Sequence, residues 1–278
     1  MNNIFDIHRF GKVLVWNLMA YWKKYVRTVL VLALTFSCIC IIGLYNSMDI
    51  DGYLGNVSGG VMLIGFFALL LSGAGIFDNM KTKQSRVTFL MLPASNLEKY
   101  MARLAWTTVG SVLMLLLSVL LADVIQFLFS IFITPGGHGS ITAHIFAQFA
   151  SDNTFSSQHF IVNNGKSWLG PHYPVWLSFL AYMLYAHSFF TLGGAFYRKY
   201  VVLLTVLSSF VLAFAVLWFL DSIDFEGSFI IDDLHAWNPW TVMNILTSGL
   251  LLLAALHYWL AYKLFTRMQV ICNKWLNI

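Results

Sequence analysis

The chain has 278 residues, of which 59% are hydrophobic and only 10% are charged. Ordinary soluble domains are close to half apolar and about a quarter charged, so a soluble fold of this composition would expose large apolar patches to water. The composition therefore excludes an ordinary soluble domain and predicts a protein whose apolar residues face the hydrocarbon of a membrane.

The basic residues predict how the chain is oriented in that membrane. Fifteen of the 16 Lys and Arg residues lie in four clusters, at 1–27, 78–103, 198–199 and 263–274, and acidic segments alternate with these clusters. Lys and Arg accumulate in cytoplasmic loops close to membrane spans, so we expect both termini in the cytoplasm. Because orientation accounts for the net charge of +4, that charge predicts no nucleic-acid partner.

Six apolar stretches are long enough to cross a bilayer, whose hydrocarbon core of about 30 Å requires about 20 helical residues. We predict spans at about 27–45, 59–77, 104–133, 175–197, 200–220 and 241–264. The expected fold class is an all-α membrane protein with six transmembrane helices, which form one membrane domain over 1–278. Spans four and five are separated only by the basic turn 197–200, a tight hairpin expected on the cytoplasmic side.

The segment 1–26 is predicted to be an amphipathic helix that lies along the membrane interface. Apolar residues recur there at steps of three or four, at Ile7, Phe10, Leu14, Leu18, Tyr21 and Tyr25. This spacing makes one apolar stripe on a helix, and the cations beside it would lie near anionic head groups, so membrane lipid is a predicted partner. Two alternatives remain open: this helix packs against the bundle, or it is simply the start of the first span.

The cytoplasmic segment 78–103 contains the most specific local signal. Ser95 and Glu98 have the spacing of a capping box, in which each side chain bonds to the backbone N–H of the other residue. Pro93 ends any earlier helix near Leu92, so we expect a new helix to start at Ser95 and continue into the third span. The apolar run 86–92 requires a partner, either the inner ends of the bundle or another protein. An ordinary loop between helices is the alternative.

The outer side is predicted to carry a loop of 41 residues at 134–174, a length that is usually functional or mobile. Its residues Ile141, Ile145, Phe146 and Phe149 could form a short interfacial helix. The last outer loop, 221–240, contains five carboxylates, which could attract cations or could simply be the acidic half of the charge asymmetry.

We predict no catalytic, cofactor or metal site. Gly165-Lys166-Ser167 lacks the Gly that a phosphate-binding loop places five residues before its Gly-Lys pair, where this chain has Phe160. The outer-loop histidines are not paired at metal-ligand spacing. Asp123 is the one carboxylate embedded in an apolar run and is a possible intramembrane polar site. Since it lies about 30 Å along the helix from Arg103, a hydrated position near the outer interface is the equal alternative.

These features together resemble the permease subunits of bacterial ABC-2-type transporters. The local match is Phe89-Leu-Met-Leu-Pro93-Ala-Ser95-Asn-Leu-Glu98-Lys99, which is similar to a Leu-Pro-x-Ser-x-x-Glu-Lys-like pattern found after span two in that family. An N-terminal amphipathic helix and six spans with both ends inside extend the resemblance over most of the chain. The loop 134–174 departs from the family, whose larger outer elaboration lies between spans five and six.

The resemblance implies a multi-pass permease of the cell inner (plasma) membrane that is not itself an enzyme. Its implied partners are a cytoplasmic ABC ATPase, which hydrolyses the ATP, and a second permease copy or paralogue. The segment 78–103 would dock on the ATPase, with Arg86, Phe89, Leu92 and Glu98 as candidate coupling residues. The alternative function is a non-transporting membrane scaffold or sensor that binds a ligand or partner through its outer loop.

Overall fold

Helices dominate this computed structural model, which describes residues 5–46, 50–80, 82–133, 139–150, 161–162, 166–167, 175–222 and 239–267. In chain order the elements are α1 (Ile7–Asn46), α2 (Ile50–Ala74), a 3-10 turn (Asp78–Met80), α3 (Lys83–Leu90), α4 (Asn96–Ala105), a π turn (Trp106–Gly110), α5 (Ser111–Ile133), α6 (Ile141–Ala150), β1 (Ile161–Val162), β2 (Lys166–Ser167), α7 (Val175–Phe196), α8 (Val201–Ser222) and α9 (Pro239–Thr266). The strands are two residues each and pair antiparallel.

Six helical stretches of the described chain are long and apolar enough to cross a membrane. They are Ile7–Tyr45, Gly52–Met80, Asn96–Phe132, Trp176–Phe196, Val201–Phe219 and Met243–Thr266. Each contains most of one predicted span, so the all-α membrane fold with six spans is confirmed. The placement of both termini in the cytoplasm and the grouping of 1–278 into one membrane domain stay predictions.

Helix α1 runs without interruption from Ile7 to Asn46. No break therefore separates the predicted interfacial helix 1–26 from the first span. On the apolar stripe, Ile7 and Leu18 are exposed, while Leu14 and Tyr25 contact the third span, as described below. The interfacial position of this helix stays a prediction.

A π turn interrupts the third span between α4 and α5, at Trp106–Gly110. Such a turn has i→i+5 hydrogen bonds and so contains one residue more than the corresponding α-helical turn. The Trp106 indole lies directly against Gly110, where any Cβ atom would collide with the ring. Glycine at this position leaves the space that the indole occupies.

The chain divides into two compact units, one made of Met1–Ser72 and Val87–Ala150 and the other of Gly73–Arg86 and Ser151–Ile278. The core of the first unit is formed where α1, α2, α5 and α6 meet. Its buried members are Phe36, Cys40, Leu44, Tyr53, Val57, Val61, Ala122 and Ile141. These side chains pack α2 and α6 on the second half of α1.

In the second unit, α7 packs lengthwise against α9. Hydroxyl groups of Ser178 and Thr247 are 2.8 Å apart across this contact, and His187 Nδ1 lies 2.9 Å from the Tyr258 hydroxyl. Hydrogen bonds between membrane helices contribute about 0.6 kcal/mol each on average. Together with the apolar packing, they hold this helix pair in one register.

Glycines allow close backbone approach in the second unit. A Cβ atom added at Gly194 of α7 would lie 2.5 Å from the carbonyl oxygen of Ala74, and one added at Gly73 would lie 2.9 Å from that of His187. Small residues are enriched where membrane helices pack backbone to backbone. The end of α2 and the second half of α7 are packed in this way.

We expect Gly194→Ala to lower the melting temperature of the detergent-solubilised protein, measured by tryptophan fluorescence. The added Cβ would meet the Ala74 carbonyl oxygen at 2.5 Å, and overpacking of this kind costs about 1–3 kcal/mol. Gly249→Ala is the matched control in the same unit, because a Cβ there meets nothing within 4 Å. If both variants melted at the same temperature, the close approach at Gly194 would be disproved.

Candidate functional site

The candidate site is the segment that follows the second span and includes α3, the turn at 91–95 and the start of α4. Ser95 is the N-cap of α4, and its Oγ accepts from the Glu98 backbone N–H at 3.2 Å. Glu98 Oε2 accepts in return from the Ser95 backbone N–H at 2.8 Å. The predicted capping box is therefore confirmed, and α3 ends at Leu90, just before the proline of the turn.

Glu98 also joins this segment to the start of α1. Its carboxylate is fully buried, and Oε1 accepts from the Asp6 backbone N–H at 2.7 Å and from Arg9 Nη2 at 3.0 Å. A buried carboxylate is stable only where hydrogen bonds or an opposite charge replace its lost hydration. Glu98 has both. Its buried side chain therefore connects the two segments by hydrogen bonds and is not an exposed contact.

Further contacts continue this attachment along α1. Arg103 Nη1 donates to Asn17 Oδ1 at 3.3 Å, and Trp106 Nε1 donates to the Leu14 carbonyl oxygen at 3.1 Å. The Trp106 ring also stacks on Tyr25, with ring centroids 5.1 Å apart. The first half of α1 is thus bonded to α4 and the π turn, which agrees with the alternative in which this helix packs against the bundle.

The structure places the other candidate coupling residues mostly inside. Phe89 is fully buried, and its ring centroid is 6.1 Å from that of Trp16. Arg86 is only 6% exposed, and its Nε and Nη2 donate to the Met80 carbonyl oxygen at 3.3 and 3.2 Å. Leu92 is half-buried. Their role in coupling stays a prediction, but burial leaves Arg86, Phe89 and Glu98 little or no surface for direct contact with a partner.

The exposed side chains of this segment include Met91, a member of the apolar run 86–92, and Lys83, neither of which was a candidate coupling residue. Met91 is 79% exposed at the end of α3, and Lys83 is exposed at its start. Lys99, in contrast, is buried and donates from Nζ to the Leu90 carbonyl oxygen at 2.6 Å. A lysine at a helix C-terminus satisfies a carbonyl group that has no partner within the helix, so Lys99 fixes the position of α3 relative to α4.

Asp123, the predicted intramembrane polar site, contacts the start of α6. Its Oδ1 accepts from the Ile141 backbone N–H at 3.0 Å, and Oδ2 accepts from Ser140 Oγ at 2.6 Å. Ser140 Oγ also accepts from the Ala143 backbone N–H at 3.1 Å. Asp123 therefore caps the short helix α6 from a neighbouring helix, and it favours that helix electrostatically because a carboxylate near a helix N-terminus is stabilising.

A serine–histidine pair in the second unit was not expected from the sequence, because its members are 69 residues apart. Ser188 Oγ lies 3.2 Å from His257 Nδ1, between α7 and α9. A nucleophilic serine must give its proton to the histidine, but Ser188 Oγ donates to the Tyr185 carbonyl oxygen at 2.6 Å and is fully buried. This geometry fits an interhelical hydrogen bond better than a catalytic dyad.

Several sequence predictions fall largely outside the described residues. The loop 134–174 is described only at 139–150, 161–162 and 166–167. A short helix is confirmed there as α6, and its position at the membrane interface stays a prediction. Also outside the described residues are the carboxylates at 224–233 and the histidines at 138, 159 and 172. Among the described residues, no group of three or more His, Cys, Asp or Glu side chains is placed to hold a metal ion.

The helices define the class of the protein as a multi-pass, all-helical membrane protein. Comparison with models of protein families, with curated proteins and with solved structures finds no match for this chain.

Removing the Glu98 carboxylate should destabilise the first unit strongly. Glu98→Ala removes the acceptor of the Asp6 and Ser95 N–H groups and of Arg9 Nη2, and each hydrogen bond so lost contributes about 1 kcal/mol or more. Ser95→Ala loses only the cap, which costs about 0.5–2 kcal/mol. We expect melting temperatures in the order wild type, Ser95→Ala, Glu98→Ala, from highest to lowest. An unchanged melting temperature for Glu98→Ala would contradict this assignment.

Loss of the Asp123 carboxylate should loosen α6 selectively. We expect faster hydrogen–deuterium exchange at amides 141–150 in Asp123→Ala, because Ile141 N–H and Ser140 Oγ lose their acceptor. The net loss per hydrogen bond is about 1 kcal/mol, which corresponds to roughly fivefold faster exchange by local opening. Peptides of α7 serve as the internal control, and Asp123→Asn, which keeps one oxygen acceptor, should lie in between. Equal exchange of α6 in all three proteins would exclude the capping role.

Proposed function

We propose that this chain is the membrane-spanning permease subunit of an ATP-driven ABC transporter. It would work with a separate cytoplasmic ATPase and a second permease copy or paralogue. The observation that carries the proposal is the attachment of the segment after the second span to the first half of α1, through Glu98, Phe89 and Trp106. A coupling segment must be joined rigidly to the spans that it moves.

The contacts in the first unit suggest how a displacement of α3 by the ATPase would be transmitted to the membrane spans. Phe89 would transmit it to Trp16 on α1, and the Lys99 contact with the Leu90 carbonyl oxygen would transmit it to α4. Helix α4 continues through the π turn into α5. ATP-driven closure of the ATPase would in this way displace two spans together, since packed interfaces shift as units and do not deform continuously.

The docking surface for the ATPase would be the exposed side of α3. Lys83 and Met91 supply one cation and one flexible apolar side chain there, and such a pair suits a groove on the partner with an apolar floor and an acidic rim. In this arrangement Arg86, Phe89 and Glu98 hold α3 in position and would act on coupling through the exposed residues.

The test is co-purification from the native host in a mild detergent, followed by mass spectrometry. We expect a soluble ATPase with Walker motifs to be recovered with the wild-type chain, and about tenfold less of it with Lys83→Glu/Met91→Asp, because truncating or reversing an interface contact of this kind costs more than 1 kcal/mol. Both side chains are exposed, so the variant should fold and insert normally.

Thr266→Asp/Arg267→Glu is the matched control, with the same change of charge at exposed positions at the end of α9, which is also predicted to be cytoplasmic. It should retain the ATPase. Equal loss from both variants would assign the effect to charge in general and contradict docking at α3. Recovery of an intact chain without any ATPase, across several mild detergents, would refute the permease and favour the scaffold or sensor.

A further inference from the structure

The second unit contains a cavity of about 190 Å³ where the end of α2, the Asp78–Met80 turn and the junction of α7 with α8 meet. This volume is below the ~300–1,000 Å³ of pockets for drug-sized ligands. Three cations, Arg86, Arg198 and Lys199, line it together with one carboxylate, Asp78. The lining therefore has a net positive charge.

The cations are held in different ways. Arg86 is almost fully buried, and the Met80 carbonyl oxygen orients its guanidinium. Arg198 Nη1 is buried and has no hydrogen-bond partner among the described residues. A buried guanidinium nitrogen without an acceptor is costly, so an additional acceptor beside Arg198 Nη1 would stabilise the site.

The backbone adds to the positive potential. The turn between α7 and α8 is very short, and its last residue, Tyr200, has a φ of +51°. Val201, the first residue of α8, also lines the cavity, so the positive end of that helix dipole lies at the same place. Such an arrangement favours an anion.

We propose that this cavity binds a phosphate group, as the head group of an anionic phospholipid or as a free phosphate. Guanidinium groups form paired hydrogen bonds with phosphate oxygens, and a phosphate oxygen would supply the acceptor that Arg198 Nη1 lacks. On the predicted orientation the turn at 197–200 is cytoplasmic, and that leaflet carries the anionic lipids. The proposal does not depend on the transport function.

The experiment is a thermal-stability titration of the purified protein in phosphate-free buffer and detergent. The added probes are inorganic phosphate, short-chain phosphatidylglycerol and short-chain phosphatidylcholine, the last as a zwitterionic control. A ligand that binds the folded state raises the melting temperature, because its stabilisation grows as the logarithm of 1 + [L]/Kd. We expect phosphatidylglycerol to raise the melting temperature of the wild type. Arg198→Gln should need about tenfold more of this lipid for the same rise, because it loses one charge-assisted hydrogen bond to the phosphate.

Arg267→Gln, the same substitution at an exposed arginine of the same unit outside the cavity lining, should respond like the wild type. Stabilisation by phosphatidylglycerol alone would identify a lipid head group as the ligand, and equal stabilisation by inorganic phosphate would identify the free ion. Lys199→Gln, at an exposed lining position, provides a second test if Arg198→Gln does not fold. The proposal is wrong if neither anion stabilises the protein, or if these variants respond like the wild type.

Discussion

The buried carboxylate of Glu98 is the interaction on which the first unit most depends. Its oxygens receive hydrogen bonds from Ser95 in its own turn and from Asp6 and Arg9 at the start of α1. A charge without water must keep all such donors close, so one side chain determines where α4 begins and where α1 lies beside it. The neighbouring bond between Arg103 and Asn17 follows from the same arrangement. Movement of α4 is thereby linked to movement of α1.

Features that depend on nearby residues could be predicted from the sequence. The six spans follow from hydropathy, the short helix α6 from its apolar spacing, and the start of α4 from the residues Ser95 and Glu98, three positions apart. Each of these depends on the choice of residue within one or two helical turns, where periodicity and capping chemistry are strong signals.

Features that depend on residues far apart in the chain could not be predicted in this way. The bond from Asp6 to Glu98 joins residues 92 positions apart, and no local pattern indicates that this glutamate has a second partner. The burial of Phe89 could not be predicted either, since an apolar residue on a predicted cytoplasmic segment suits an internal contact and a partner surface equally well. Asp123 could be recognised as unusual, yet the Ile141 N–H that explains it belongs to a residue 18 positions further along the chain.

The π turn at Trp106–Gly110 determines how α5 is rotated about the axis of the third span. The π turn takes up its extra residue locally; since each α-helical residue advances by about 100° around the axis, the same residues wound as a regular α-helix would rotate α5 by about that angle. Ser118, which donates to the Val29 carbonyl oxygen on α1, and Asp123 would then point away from their partners. The winding of this one turn therefore determines which side of α5 faces the rest of the protein.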